Sequence, residues 1–158
     1  GSYRDYQDFV GELLANGKIL TGGKVLTDGD LAKGYFCAPT IAELPYSHRL
    51  WKHEMFVPIT TVGKFDDLET AMKIANDVDY GLTAGFYGTE EEAAWFFDKI
   101  EAGVTYANRP MGSTTGAWPG FQPFGGWKGS GSSGKNSGGL HYLQIYMHEQ
   151  IQNLVRKA

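Results

Sequence analysis

The chain has 158 residues, 42% hydrophobic and 20% charged, enough to bury one ordinary core and unlike a disordered tail. A net charge of -4 argues against a nucleic-acid protein, no apolar run approaches the roughly 18 residues of a bilayer span, and no signal peptide is visible. The one cysteine, Cys37, excludes an internal disulfide and a multi-cysteine zinc site, and fits a reducing, cytosol-like compartment. Residues 3–15 read as an amphipathic helix, with Tyr6, Phe9, Val10, Leu13 and Leu14 at helical spacing and Asn16-Gly17 as the stop. Lys18-Ile19-Leu20 predicts a short strand, and residues 24–34 a turn-rich loop. Residues 35–42 predict a strand whose Pro39 favours an edge position. A helical turn is expected over 47–51. The β-branched run Ile59, Thr60, Thr61, Val62 predicts a strand over 59–65.

Residues 66–76 form the clearest helix. Asp66 is the expected cap, and Leu68, Ala71, Met72 and Ala75 share one face. A strand follows over 82–87. Thr89 then opens a helix through Ile100, with Glu90, Glu91 and Glu92 in its first turn. Gly103 closes it before a strand over 104–107. This alternation implies an α/β layer with parallel strands. Periodicity stops from Asn108 to Gly139. It resumes over 140–155 with apolar residues on both faces, which predicts a strand that leaves the main body and pairs with something else, as subunit-joining strands do.

Glycine is the compositional oddity: eleven of the 22 fall between Gly103 and Gly139. Glycine that dense implies sharp bends or close approach to a ligand or to another backbone. Residues 129–136 contain G-x-G-x-x-G and nearly a phosphate-binding loop, with Asn136 where Ser or Thr belongs. Either motif needs a buried strand before it and a helix after it, and the flanking sequence offers neither. A nucleotide-binding domain would rest on these residues alone. His53-Glu54 and His148-Glu149 lack the second histidine of a zinc-protease helix. Cys37 sits among apolar neighbours with no activating base in view, so it reads as a small core residue rather than a nucleophile.

Two stretches read together carry more. The first is Trp51-Lys-His-Glu54-Met-Phe56-Val-Pro58-Ile59, then a strand, a helix, and Asn76 followed by Tyr80-Gly81-Leu82. The second is Gln122-Pro123-Phe124-Gly125-Gly126 through Ser130-Gly131. Their order and spacing resemble the C-terminal third of an aldehyde dehydrogenase. Gly34-Tyr35-Phe36 and Pro39-Thr40-Ile41 fit the same register. Within that family, Tyr106-Ala107-Asn108-Arg109, Thr115-Gly116-Ala117 and Gly138-Gly139 are similar to the Δ1-pyrroline-5-carboxylate branch, which oxidises L-glutamate γ-semialdehyde in proline catabolism.

The resemblance implies the following. The fold is the C-terminal part of an α/β catalytic domain, with a parallel-type sheet, flanking helices and a terminal oligomerisation strand. Residues 1–107 are the partial catalytic domain, 108–138 a glycine-rich substrate-anchor and connecting loop, and 139–158 the oligomerisation strand. The cofactor is NAD. Glu54 accepts hydrogen bonds from the nicotinamide ribose, which a two-oxygen carboxylate suits, and Phe56 packs beside it. Thr115, Gly116 and Ala117 close backbone amides on the substrate carboxylate, and Phe124 covers its aliphatic part. The expected partners are the rest of the enzyme chain, glutamate semialdehyde and further copies of the chain, in the cytoplasm or a mitochondrial matrix. The family's cysteine nucleophile and general base lie upstream of the matched motifs, so no catalytic residue and no metal site is expected here and the chain alone is expected to be inactive. Val57 stands where many members have glycine. The remaining alternatives are a non-catalytic assembly module of the same shape and another branch of the family.

Overall fold

The computed structural model describes residues 1–110, 122–131 and 136–156. The chain divides into two units, Gly1–Asp77 and Val78–Ala158.

In the first unit, helix α1 (Ser2–Asn16) buries Tyr6, Val10 and Leu13, one helical stripe, against a sheet. Strand β1 (Lys18–Thr21) follows. β2 (Val25–Leu26) and β3 (Phe36–Cys37) make a small antiparallel pair, with a 3-10 turn at Gly29–Lys33 between them. β4 (Thr40–Glu43) then runs antiparallel to β1 and parallel to β5 (Ile59–Val62). The core joins Tyr6, Val10, Leu13, Ala42, Leu44, Leu50 and Ile59. α2 (Leu68–Asn76) closes the unit and buries Met72.

Two expectations change here. The strand predicted over 35–42 is two strands, because Pro39 has no N–H to give a ladder and interrupts the run. β4 begins one residue later and is central in the order β1-β4-β5, so the proline marks a break and not an edge. The cap of α2 is Asp67, whose side chain accepts from Thr70 N at 2.7 Å, and not Asp66. The helix starts one residue later than the charge pattern indicates.

In the second unit, β6 (Tyr80–Gly81) precedes β7 (Thr83–Phe86), α3 (Glu90–Lys99) and β8 (Val104–Ala107). β7 and β8 are parallel, with Thr83 opposite Val104, and form a β-α-β unit around α3. α3 buries Ala93 and Phe96, and Phe96 stacks on Phe86 with ring centroids 5.2 Å apart. Its start is the expected Thr89, in a reciprocal capping box with Glu92. β9 (Trp127–Lys128) pairs antiparallel with β6.

The strand predicted over 140–155 is not formed within the single chain. Tyr142–Tyr146 is a 3-10 turn, and residues 147–156 adopt no regular element. A strand needs a neighbour to take its hydrogen bonds, and no strand of this chain is paired with the segment among the described residues. Its side chains are left in solvent, with Leu140 at 87% and Val155 at 89% exposure.

At some described positions of the glycine-dense region, backbone lies on backbone: a Cβ on Gly103 would stand 2.0 Å from the Gly125 carbonyl oxygen, and one on Gly131 would stand 2.2 Å from the Gly126 carbonyl oxygen. The Gly129, Ser130 and Gly131 amides donate to the Asp79, Trp127 and Lys128 carbonyls. Those three donors are committed within the protein rather than aimed at a phosphate.

Candidate functional site

Residues 54–58 link the 3-10 turn Arg49–Trp51 to β5. Met55 and Val57 pack on the first unit's core, while Glu54 and Phe56 point outward. This alternation puts the carboxylate and the ring on the open side of one segment. Phe56 is 81% exposed and takes left-handed backbone, φ 52°, which is uncommon for a residue with a bulky side chain. Phe56 lines a cleft of about 910 Å³ together with Tyr35, Phe36, Cys37 and the first turn of α1. The Glu54 carboxylate is exposed and enters no salt bridge among the described residues.

The base of this segment is anchored. Thr40 N donates to the Pro58 carbonyl at 2.9 Å, and Ile59 N to the Val57 carbonyl at 2.7 Å. The Thr40 hydroxyl in turn meets the Tyr6 hydroxyl at 2.8 Å, and Tyr6 Oη donates to the Ala38 carbonyl at 2.8 Å. Helix α1 thereby fixes the strand from which the Glu54–Phe56 segment is held. The sequence marks Tyr6 as a core position but gives no sign of this hydroxyl network.

Cys37 is half-buried at the wall of the cleft and packs on the core. Burial pushes its thiol up from the ordinary value, which disfavours the thiolate a nucleophile needs. His48 is held locally, its Nδ1 accepting from Leu50 N and its Nε2 lying 3.4 Å from Glu12. No group of three potential metal ligands occurs among the described residues.

In the second unit, Phe124 is half-buried and its amide donates to the Ser137 carbonyl at 2.7 Å. Gly81 N donates to Ser130 Oγ at 3.1 Å. Thr115, Gly116 and Ala117 lie outside the described residues. The sequence marks Asn108 and Arg109 only as part of a branch motif; the structure adds that Asn108 turns the chain directly after β8 in left-handed backbone, φ 51°. An Asn directly after a strand is a known left-handed turn former, and this was the available signal.

The model of the aldehyde dehydrogenase family matches residues 2–151. The chain belongs to the aldehyde dehydrogenase family. It is 36% identical over 149 residues to 1-pyrroline-5-carboxylate dehydrogenase 2 of Bacillus subtilis (strain 168), covering 93% of this chain and 27% of that protein. It is 39% identical over 142 residues to the 1-pyrroline-5-carboxylate dehydrogenase of Bacillus thuringiensis (strain Al Hakam), covering 89% of this chain and 27% of that one. Among solved structures, a 1-pyrroline-5-carboxylate dehydrogenase from Thermus with bound NAD superposes with a TM-score of 0.80 at 34% identity, over 92% of this chain and 27% of that one. A gamma-glutamyl-gamma-aminobutyraldehyde dehydrogenase from Burkholderia cenocepacia gives 0.77 at 28% identity, over 90% of this chain and 28% of that one. The chain thus spans about a quarter of the length of the curated relatives it matches.

Proposed function

We propose that this chain carries the C-terminal part of the catalytic apparatus of a dehydrogenase that oxidises L-glutamate γ-semialdehyde, the open form of Δ1-pyrroline-5-carboxylate, to L-glutamate with NAD in proline catabolism. The observation that carries the reading is the outward pair Glu54 and Phe56 on one anchored segment, in a chain 36% identical to a 1-pyrroline-5-carboxylate dehydrogenase. An exposed carboxylate and an exposed ring fit a nicotinamide ribose, and NAD supplies the hydride acceptor. Glu54 would accept from the ribose hydroxyls, and the Phe56 ring would limit how the nicotinamide can lie. Thr115, Gly116 and Ala117 are proposed to hold the substrate carboxylate through backbone amides, with Phe124 covering its methylenes.

Cys37 has no role in the chemistry in this reading. Its thiol is shifted away from the thiolate and it is the only cysteine of the chain. The 158-residue chain by itself is therefore expected to form no NADH. Residues 139–158 are proposed to pair with a second copy, which supplies the missing strand neighbour. The named Bacillus relatives are bacterial, and a cytoplasmic setting belongs to the proposal.

The test uses the full-length enzyme that contains this segment. Glu54→Gln is expected to raise KM for NAD about tenfold, the scale of one charge-assisted hydrogen bond, with KM for the semialdehyde within about twofold. An equal rise in both constants, or no NADH from glutamate semialdehyde with the unsubstituted enzyme, rules the reading out.

A further inference from the structure

The turn after β8 holds a cation that pairs with no acid among the described residues. Asn108 takes left-handed backbone, φ 51°, and its side-chain amide clamps Gly88: Oδ1 accepts from Gly88 N at 3.0 Å, and Nδ2 donates to the Gly88 carbonyl at 2.8 Å. Asn108 N donates to the Phe86 carbonyl at 2.8 Å. The Tyr87 hydroxyl donates to the Arg109 carbonyl at 2.7 Å. Pro110 follows and restricts Arg109 to extended backbone. The backbone that carries Arg109 is thus tied at every step to the end of β7.

The side chain is tied as well. Its guanidinium carbon lies 5.8 Å from the centre of the Tyr106 ring, and Arg109 is half-buried. Tyr106 is placed by Gly85, its partner across the ladder, since a Cβ there would come within 2.4 Å of the ring. Yet Arg109 makes no salt bridge among the described residues. The sequence around it offers no acid either. In a chain of net charge -4, no Asp or Glu occurs between Glu101 and Glu149, and Glu101 pairs with Lys128.

A partly desolvated guanidinium set beside a ring, with no anion on it among the described residues, is prepared for an external one. Arginine matches a carboxylate with two parallel N–H donors, and a pre-organised arginine loses little freedom on binding. Arg109 stands at the C-terminal ends of the parallel strands β7 and β8, the side on which open α/β sheets take ligands. We propose that Arg109 is the specificity-determining cation that selects aldehyde substrates bearing a carboxylate. This rests on the dehydrogenase reading above.

The test is steady-state kinetics of the full-length enzyme on glutamate semialdehyde, succinate semialdehyde and butanal. In Arg109→Gln, KM for the two carboxylate-bearing aldehydes is expected to rise about tenfold or more, with kcat within about twofold. The ratio of kcat/KM for each of them to that for butanal then falls by the same factor, and Arg109→Lys restores part of it. A loss shared equally by butanal marks a structural role and overturns the proposal. So does an unchanged KM for both carboxylate-bearing aldehydes. An unsubstituted enzyme that oxidises succinate semialdehyde but not glutamate semialdehyde removes the substrate reading alone, and the succinate semialdehyde ratio still decides on Arg109.

Discussion

Tyr6 shows how one residue holds a site it never touches. Its ring is 1% exposed among core side chains, and its hydroxyl joins the Thr40 hydroxyl over the Ala38 carbonyl. Thr40 Oγ1 also accepts from Gly23 N at 2.8 Å, so two hydroxyls serve several buried partners. Tyr6→Phe keeps the packing and removes the shared bond; a stability loss of about 1–2 kcal/mol is expected from urea titration. A loss below about 0.3 kcal/mol would mean that the network reorganises around water. At this scale the sequence marks Glu54 and Phe56 through a motif, and the structure shows both exposed on one segment, while their binding role stands as the proposal above. The sequence was silent where the role depends on a distant partner: nothing near Tyr6 in the chain announces Thr40, and nothing near Asn108 announces Gly88.

Helices were the most readable elements, because their apolar period and end signals are local. α1 and α3 lie within a residue of the expected limits, and Thr89 caps α3 as expected. The start of α2 was displaced because Asp66 and Asp67 offer the same side chain and only geometry chooses between them. Strands were less readable, since each depends on a partner elsewhere. Pro39 weakened the run over 35–42 in the right place, but the sequence did not reveal that β4 would be central. The caps give a pH prediction. Bonding from the Thr70 backbone amide holds the Asp67 carboxyl below its ordinary 3.8, and bonding from the Thr89 backbone amide holds Glu92 below its ordinary 4.5. Both groups have folded values under the unfolded ones, so their contribution is fully present above about pH 4.5. It is lost as pH falls through the lower folded values. Urea midpoints measured between pH 7 and pH 2.5 should therefore drop in that acidic window, and the double change Asp67→Asn, Glu92→Gln should flatten the drop. An identical drop in the double variant would assign it to other carboxylates.

At the scale of the whole molecule, the stretch from Leu140 onward pairs with no strand among the described residues. Leu140, Leu143, Ile151, Leu154 and Val155 are all strongly exposed. An apolar run left open to water and unpaired in its backbone is a template for another chain. The 158-residue protein is expected to sediment as an oligomer, and Leu143→Lys with Leu154→Lys to shift it toward monomer without changing its circular dichroism between 200 and 230 nm. A monomeric unsubstituted protein would remove the pairing role proposed for residues 139–158. The glycines carry a different consequence, for how far this sequence can drift. At Gly11, on the surface of α1, nothing lies within 4 Å of an added Cβ, so an alanine there only stiffens the unfolded chain. At Gly103 the obstacle is a peptide carbonyl, which has no rotamer to change. One glycine has room for a side chain, and the other meets a peptide carbonyl that cannot turn away.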